Sequence, residues 1–313
     1  VGKPNLYPPL APNYFTEVTR TQQVNYTANT AALYGQETLE FTPQLKFVIG
    51  ARYDRFKADY QRAAPLGPLM RTDRVWSTRT GLLFQPDDGQ SYYGAYGTSF
   101  NPSGELYSLD DRGSKTPPEK NRNIEIGAKW ELFEGDMSLR TALFRSEKTN
   151  ERNTDLAVSI EQNLLSGRRH TDGAEIEAAG RISRNWEMFA GAAYLKGKID
   201  KATGLQAATL GKVPINTPKY TANLWTVYKL NSQWKIGGGL EAVGRRFANT
   251  TNSNAVPAYT RADALISYEY KDAQVKLNLL NLTNRKYFEG VYAGHTVPGT
   301  ARNAQLTLEY RFY

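Results

Sequence analysis

The sequence predicts an all-β fold, an antiparallel up-and-down β-barrel of the kind that crosses a membrane. Three observations predict it. The chain closes on a strictly alternating strand, Ala301 to Phe312, with Ala304, Leu306, Leu308, Tyr310 and Phe312 on one face. Its opposite face carries Asn303, Gln305, Thr307, Glu309 and Arg311. Tight turns and long polar loops alternate along the chain, and Trp186, Trp234 and Trp130 stand near the tight-turn ends of their strands. An edge strand of a soluble sandwich explains the terminal alternation alone, but Greek-key connections give no reason for sorted loops.

The strands follow in order. After a Pro-rich leader, one runs from about Ala28 to Phe41 and turns at Thr42–Pro43–Gln44. The next, from Leu45, alternates Leu45, Phe47, Ile49, Ala51 and Tyr53 with Lys46, Arg52 and Asp54. A strand over Arg71 to Phe84 then reaches Pro86–Asp87–Asp88–Gly89, where Pro and Asp start a turn and Gly closes it. Gln90 to Phe100 precedes a long loop, after which Ile124, Ile126, Ala128, Trp130 and Leu132 form another apolar face. Glu134–Gly135–Asp136 turns into MSLRTALFRSEKTN, and a long segment around Asn150 to Arg169 leads to a strand ending near Ile182. WEMFAGAAYLKGKI, KYTANLWTVYKL, WKIGGGLEAVGRRF, AYTRADALISYEY and VKLNLLNLTNRKYF complete the set before the terminal strand. This makes about thirteen strands, with six tight turns and six longer loops.

Composition agrees with a barrel. Mean hydropathy is −0.58, and no apolar run approaches the ~18 residues of a membrane helix. A barrel needs no such run, because only alternate residues meet lipid. Aromatic residues make up 12 % of the chain, with 20 Tyr, and cysteine is absent, which excludes a disulfide framework and thiolate metal sites. The net charge of +8 comes from scattered Lys and Arg, without the basic, aromatic-laced stretch a nucleic-acid binder needs.

Read in order, GARYDRF (Gly50 to Phe56), YGAYGTSFNPSGE (Tyr93 to Glu105), PEKNRNIEIGAKWEL (Pro118 to Leu132) and LFRSEKTNERNTD (Leu143 to Asp155) carry a family likeness. So do GAEIEAAGRISRNWEMFAGAAY (Gly173 to Tyr194), NTPKYTANLWTVY (Asn216 to Tyr228), NLTNRKYF and VPGTARNAQLTLEYRF. This collinear set resembles the C-terminal barrel of TonB-dependent ferric-siderophore receptors. SEKTNERNTD, the GRR before GAEIEAAG, and HTVPGTAR look most like the subgroup that takes up catecholate siderophores.

The resemblance implies an outer-membrane receptor of a Gram-negative bacterium that takes up ferric siderophore with TonB-coupled energy. Its implied partners are the ferric siderophore, TonB, outer-membrane lipid and lipopolysaccharide, and the barrel-assembly machinery. It implies no cofactor held by the protein itself, since the siderophore fills the iron coordination sphere and the complex is cargo. The sequence departs from the family in showing no plug domain and no TonB box, and Tyr313 follows the usual final aromatic. The expectation is therefore a leader or extracellular loop over 1–27, and over 28–313 the C-terminal part of a barrel of about 22 strands. The alternative is a passive diffusion channel.

Ferric catecholates are anionic and flat-faced, so Arg or Lys must match their charge and aromatics must stack on their rings. Candidates at the long-loop ends are Tyr107, Arg112, Lys115, Arg168, Arg169, Arg245, Arg246, Tyr292 and His295. Leu306, Leu308, Tyr310 and Phe312 are the candidates for barrel assembly. The two histidines, His170 and His295, have no nucleophile or carboxylate motif beside them, so no enzyme is predicted.

Overall fold

A computed structural model of the protein describes residues 25–62, 65–102, 114, 117–152, 164–202, 204–292 and 295–312. Its strands are β1 (Asn25–Glu40), β2 (Leu45–Gln61), β3 (Leu69–Asp87), β4 (Gln90–Asn101), β5 (Glu119–Leu132) and β6 (Met137–Arg152). There follow β7 (Leu164–Ser183), β8 (Trp186–Lys201), β9 (Tyr220–Lys229), β10 (Trp234–Val243), β11 (Arg246–Phe247) and β12 (Ala255–Val256). The last are β13 (Tyr259–Tyr270), β14 (Ala273–Leu280), β15 (Phe288–Val291), β16 (Thr296–Pro298) and β17 (Asn303–Tyr310).

Thirteen of these form one antiparallel sheet in the order β1 to β10, β13, β14, β17. The pairs β11–β12 and β15–β16 are separate small hairpins within the long connections.

Three of the tight turns are fixed by their own side chains. Thr42 Oγ1 accepts the N–H groups of Gln44 and Leu45 at 3.3 and 3.0 Å. Asp87 Oδ1 accepts from Gly89 at 2.9 Å, and Asn231 Oδ1 accepts from Gln233 and Trp234 at 2.9 and 2.8 Å. Each is a short side chain replacing a ladder partner where the strand reverses.

The sheet has an apolar and a polar face. Following the register, one row of the apolar face reads Phe47, Leu82, Gly94, Ile126, Leu143, Ala174, Tyr194, Tyr220 from β2 to β9. Toward the tight turns this face carries an aromatic band. Trp130 donates to the Tyr92 hydroxyl at 3.3 Å, Trp186 meets Tyr228 edge-on at 6.5 Å, and Trp234 lies 4.7 Å from Tyr268. These tryptophans and tyrosines present an apolar body and a polar tip, as an interfacial belt requires. Toward the long loops the band steps across the register. Trp76 on β3 is 65 % exposed, yet the equivalent positions on β5 and β7 are Lys120 and Arg168. Tilted strands give a level belt this oblique outline in register space.

The polar face holds Tyr93, Glu125, Lys129, Arg140, Glu175 and Glu177, with the Tyr93 hydroxyl on Glu125 at 2.7 Å.

Several strand limits differ from the sequence reading. β1 begins at Asn25, within the segment read as leader, while residues 1–24 lie outside the described residues. β7 begins at Leu164, so Arg168 and Arg169 are ladder residues and not loop residues. β10 stops at Val243, and Arg246–Phe247 leave the main sheet to form half of a hairpin. β14 stops at Leu280 because Asn281 takes a φ of 52° and turns its side chain back on the loop. Its Oδ1 accepts the Arg285 N–H at 2.8 Å, and its Nδ2 donates to the Arg285 and Thr300 carbonyls at 2.9 Å each.

Candidate functional site

The long-loop end of the polar face carries a connected group of side-chain hydrogen bonds. Alternation puts Glu241 of β10 and Arg261 and Asp263 of β13 on the face opposite Leu240 and Ala262. Arg261 pairs with Glu241 at 3.0 Å, bonds Asp263 at 3.1 Å and donates to the Tyr287 hydroxyl at 2.9 Å. Tyr287 in turn donates to Glu289 at 2.9 Å, and Tyr259 donates to Glu241 at 2.6 Å. The rings of Tyr259 and Tyr287 lie 4.6 Å apart. Burial is the main cause that pushes the Tyr287 hydroxyl above its usual range; the Arg261 hydrogen bond opposes it and Glu289 adds to it.

Above this network the loops are joined to one another. Arg246 is buried, with its guanidinium over the Tyr259 ring. Its Nη1 donates to Asn216 Oδ1 at 3.1 Å and to the Glu289 carbonyl at 2.9 Å, and its Nη2 donates to the Phe288 carbonyl. One side chain therefore ties the β8–β9 loop, the β11–β12 hairpin and the β15–β16 hairpin. Asn216 N–H donates to the Phe247 carbonyl at 3.0 Å, adding a backbone link between the first two.

The predicted site residues fall into five groups. Arg246 is a buried loop clasp whose two Nη nitrogens are turned to protein acceptors, while its Nε has no hydrogen-bond partner among the described residues. Arg245 beside it is exposed, with its guanidinium 5.1 Å from the Phe247 ring. Tyr292 and His295 form an exposed stacked pair, 4.8 Å between rings and 18° between planes, at the tip of the β15–β16 hairpin. Arg168 and Arg169 sit three strands away on β7 and point to opposite faces.

Arg169 is on the polar face, paired with Glu151 at 2.6 Å. Arg168 shares the face of Ala174 and Ile176, away from the polar network. Tyr107, Arg112 and Lys115 lie outside the described residues. The geometry thus brings Arg245, Arg246, Tyr292 and His295 onto adjoining hairpins and separates Arg168 from them. Tyr259, Arg261 and Tyr287 were not predicted, though the parity of Arg261 against Ala262 was a usable signal.

Residues 2–284 match the model of the family described as TonB dependent receptor-like, beta-barrel. The chain belongs to that family. It is 28 % identical over 309 residues to the probable TonB-dependent siderophore receptor PiuA of Acinetobacter baumannii, covering 91 % of this chain and 41 % of that protein. It is 25 % identical over 353 residues to the catecholate siderophore receptor Fiu of Escherichia coli, covering 98 % of this chain and 45 % of the relative.

The crystal structure of PiuA superposes with a TM-score of 0.82 at 26 % identity, over 92 % of this chain and 44 % of that one. The closed form of Fiu from Escherichia coli shares the fold, with a TM-score of 0.77 at 22 % identity over 92 % and 45 % of the two chains. The chain spans less than half the length of these relatives. The fold of the family makes the polar face the barrel lumen and the apolar face its outside.

Proposed function

We propose that the protein carrying this chain is an outer-membrane receptor that takes up a ferric siderophore of catecholate type with TonB-coupled energy. The observation that carries the reading is the clasped loop layer over the polar face, which presents Arg245 and the stacked Tyr292–His295 pair to solvent. A flat catecholate complex needs aromatic faces to stack on and cations to offset its charge. The clasp ties the two hairpins that carry these groups to each other, which reduces the entropy lost on binding. The names of the relatives support the same ligand class, since one is a catecholate siderophore receptor and another a probable siderophore receptor.

The test is binding and uptake by the full-length protein. A ferric tris-catecholate should quench its tryptophan fluorescence, and uptake of the iron should stop in cells lacking TonB. Tyr292→Ala and His295→Ala should each weaken binding by about 2- to 10-fold, the range for one aromatic contact. Entry of iron that continues without TonB would replace this reading with a passive channel.

A further inference from the structure

The β15–β16 hairpin that leads to Tyr292 and His295 is too small to fix its own direction. Its strands have four and three residues, a register shift interrupts their pairing between Phe288 and Gly290, and neither joins the main sheet. An isolated two-stranded hairpin is marginal in water. Its orientation must come from what holds its two legs, Tyr287 on one side and Gly299–Thr300 on the other.

Both legs are held from the barrel wall, and one carboxylate aligns the two holders. Asp263 of β13 accepts from Arg261 Nε at 3.1 Å through Oδ2 and from the Asn281 N–H at 2.7 Å through Oδ1. Arg261 then donates to the Tyr287 hydroxyl at 2.9 Å on the first leg, and Asn281 Nδ2 donates to the Thr300 carbonyl at 2.9 Å on the second. The legs also join each other. Gly299 N–H donates to the Tyr287 carbonyl at 2.8 Å, and the buried Tyr287 ring covers Gly299 so closely that a Cβ there would come within 2.2 Å of it.

Arg261 is committed to this task by its surroundings. Glu241 at 3.0 Å, Asp263 at 3.1 Å and Glu289 at 4.0 Å offset its charge, and its guanidinium stands 5.8 Å from the centre of the Tyr287 ring. A cation already opposed by three carboxylates offers little to an anionic ligand. It fixes the Tyr287 hydroxyl instead, which in turn donates to Glu289 of the same hairpin at 2.9 Å.

We infer that Tyr287 is a positioning residue for ligand binding: held by Arg261, it sets the direction in which the β15–β16 hairpin presents the Tyr292–His295 pair to a flat anionic complex. It touches no ligand itself and acts through that pair. Arg246 grips the same hairpin at the Phe288 and Glu289 carbonyls, but it belongs to the loop layer and travels with it. The Arg261–Tyr287 bond ties the hairpin to β13, which is paired on both sides in the main sheet. The inference rests on the siderophore-binding reading proposed above.

The experiment uses the full-length protein and ferric tris-catecholate, with binding read by quenching of tryptophan fluorescence. Tyr287→Phe keeps the ring over Gly299 and removes only the hydroxyl. It should weaken binding about 3- to 10-fold, by lowering the fraction of hairpins held in the competent direction. Arg261→Lys should do the same by losing the fork that reaches Tyr287 and Asp263 together, and Gly299→Ala by displacing the Tyr287 ring. In a Tyr292→Ala/His295→Ala background, Tyr287→Phe should have no further effect. Hydrogen exchange over residues 288–291 and 296–298, measured without ligand, should quicken in Tyr287→Phe while β13 keeps its protection.

Wild-type affinity in Tyr287→Phe would overturn the positioning role. So would an equal loss in the Tyr292→Ala/His295→Ala background, because it would mark a general loosening of the loop layer. Unchanged hydrogen exchange in the hairpin would overturn it whether or not ligand binds. A wild-type protein that binds no ferric tris-catecholate would instead overturn the ligand reading beneath it, with hydrogen exchange still testing the hold on the hairpin.

Discussion

The side chain of Asn252 forms a reciprocal pair of hydrogen bonds with the backbone of Val213. Its Oδ1 accepts the Val213 N–H at 2.8 Å and its Nδ2 donates to the Val213 carbonyl at 2.9 Å. Asn252 holds a φ of 61°, a conformation that Asn tolerates better than most residues. The tip of the β11–β12 hairpin is thereby fastened to the β8–β9 loop in the manner of a strand partner. Asn252→Ala should weaken this attachment by about 1–3 kcal/mol, the cost of leaving peptide groups unpaired. Hydrogen exchange should quicken over residues 211–217 while β9 and β10 keep their protection.

Arg246 and Arg245 should respond in opposite ways to substitution. Arg246→Lys keeps the charge but cannot reach Asn216, Phe288 and Glu289 together, since an ammonium lacks the planar fork. A loss of about 2–4 kcal/mol in loop-layer stability is expected, of the size seen when a buried charged network is broken. Arg245→Gln should change stability by no more than about 0.5 kcal/mol, because the side chain is exposed. It should weaken binding of an anionic siderophore instead. Unfolding and ligand titration on both variants separate the two roles.

Tyr287 gives the loop layer an alkaline limit. Its hydroxyl is raised chiefly by burial, so the folded state holds the proton more tightly than the unfolded state, whose pKa is about 10. The stabilisation is complete below the unfolded value and is lost as pH rises through the folded one. Tyr287→Phe lacks that titration. The stability difference between wild type and Tyr287→Phe should therefore be constant at neutral pH and shrink above pH about 10. A difference that stays flat through that range would sink the assignment.

The terminal strand should show the face dependence of a lipid-exposed element. Leu306 and Leu308 are 70 % and 72 % exposed on the apolar face, and Thr307 lies between them on the polar one. Leu308→Arg should cost about 2–4 kcal/mol near the bilayer midplane, whereas Thr307→Arg should cost less than half of that. Urea unfolding in liposomes, read by heat-modifiable mobility, measures both.

The long alternating strands were legible because one-sided burial in lipid imposes a strict two-residue period. Leu306, Leu308, Tyr310 and the set from Ile124 to Leu132 were assigned correctly to faces from sequence alone. The hairpins β11–β12 and β15–β16 were not legible. Strands of two to four residues carry no period, and their geometry comes from Arg246, which reaches Glu289, and Asn281, which reaches Thr300 as well as the nearby Arg285.

The surroundings of the site candidates were less legible for the same reason. A loop arginine looks alike in sequence whether it faces solvent, as Arg245 does, or is enclosed by carbonyls, as Arg246 is. Arg168 was separable in principle. It has the parity of Ala174 and Ile176, and extending that strand back two residues, to Arg168, would have turned it outward.

The separation of tight turns and long loops onto opposite rims has a consequence for how such a protein can diversify. Length and composition can change on one rim while the other stays fixed, so each long loop is in principle an exchangeable cassette. Arg246 and Asn252 restrict that freedom for the last three. A chimera that takes the β8–β9, β10–β13 or β14–β17 loop alone from another receptor inherits half of a clasp, whereas one that takes all three together inherits a working unit.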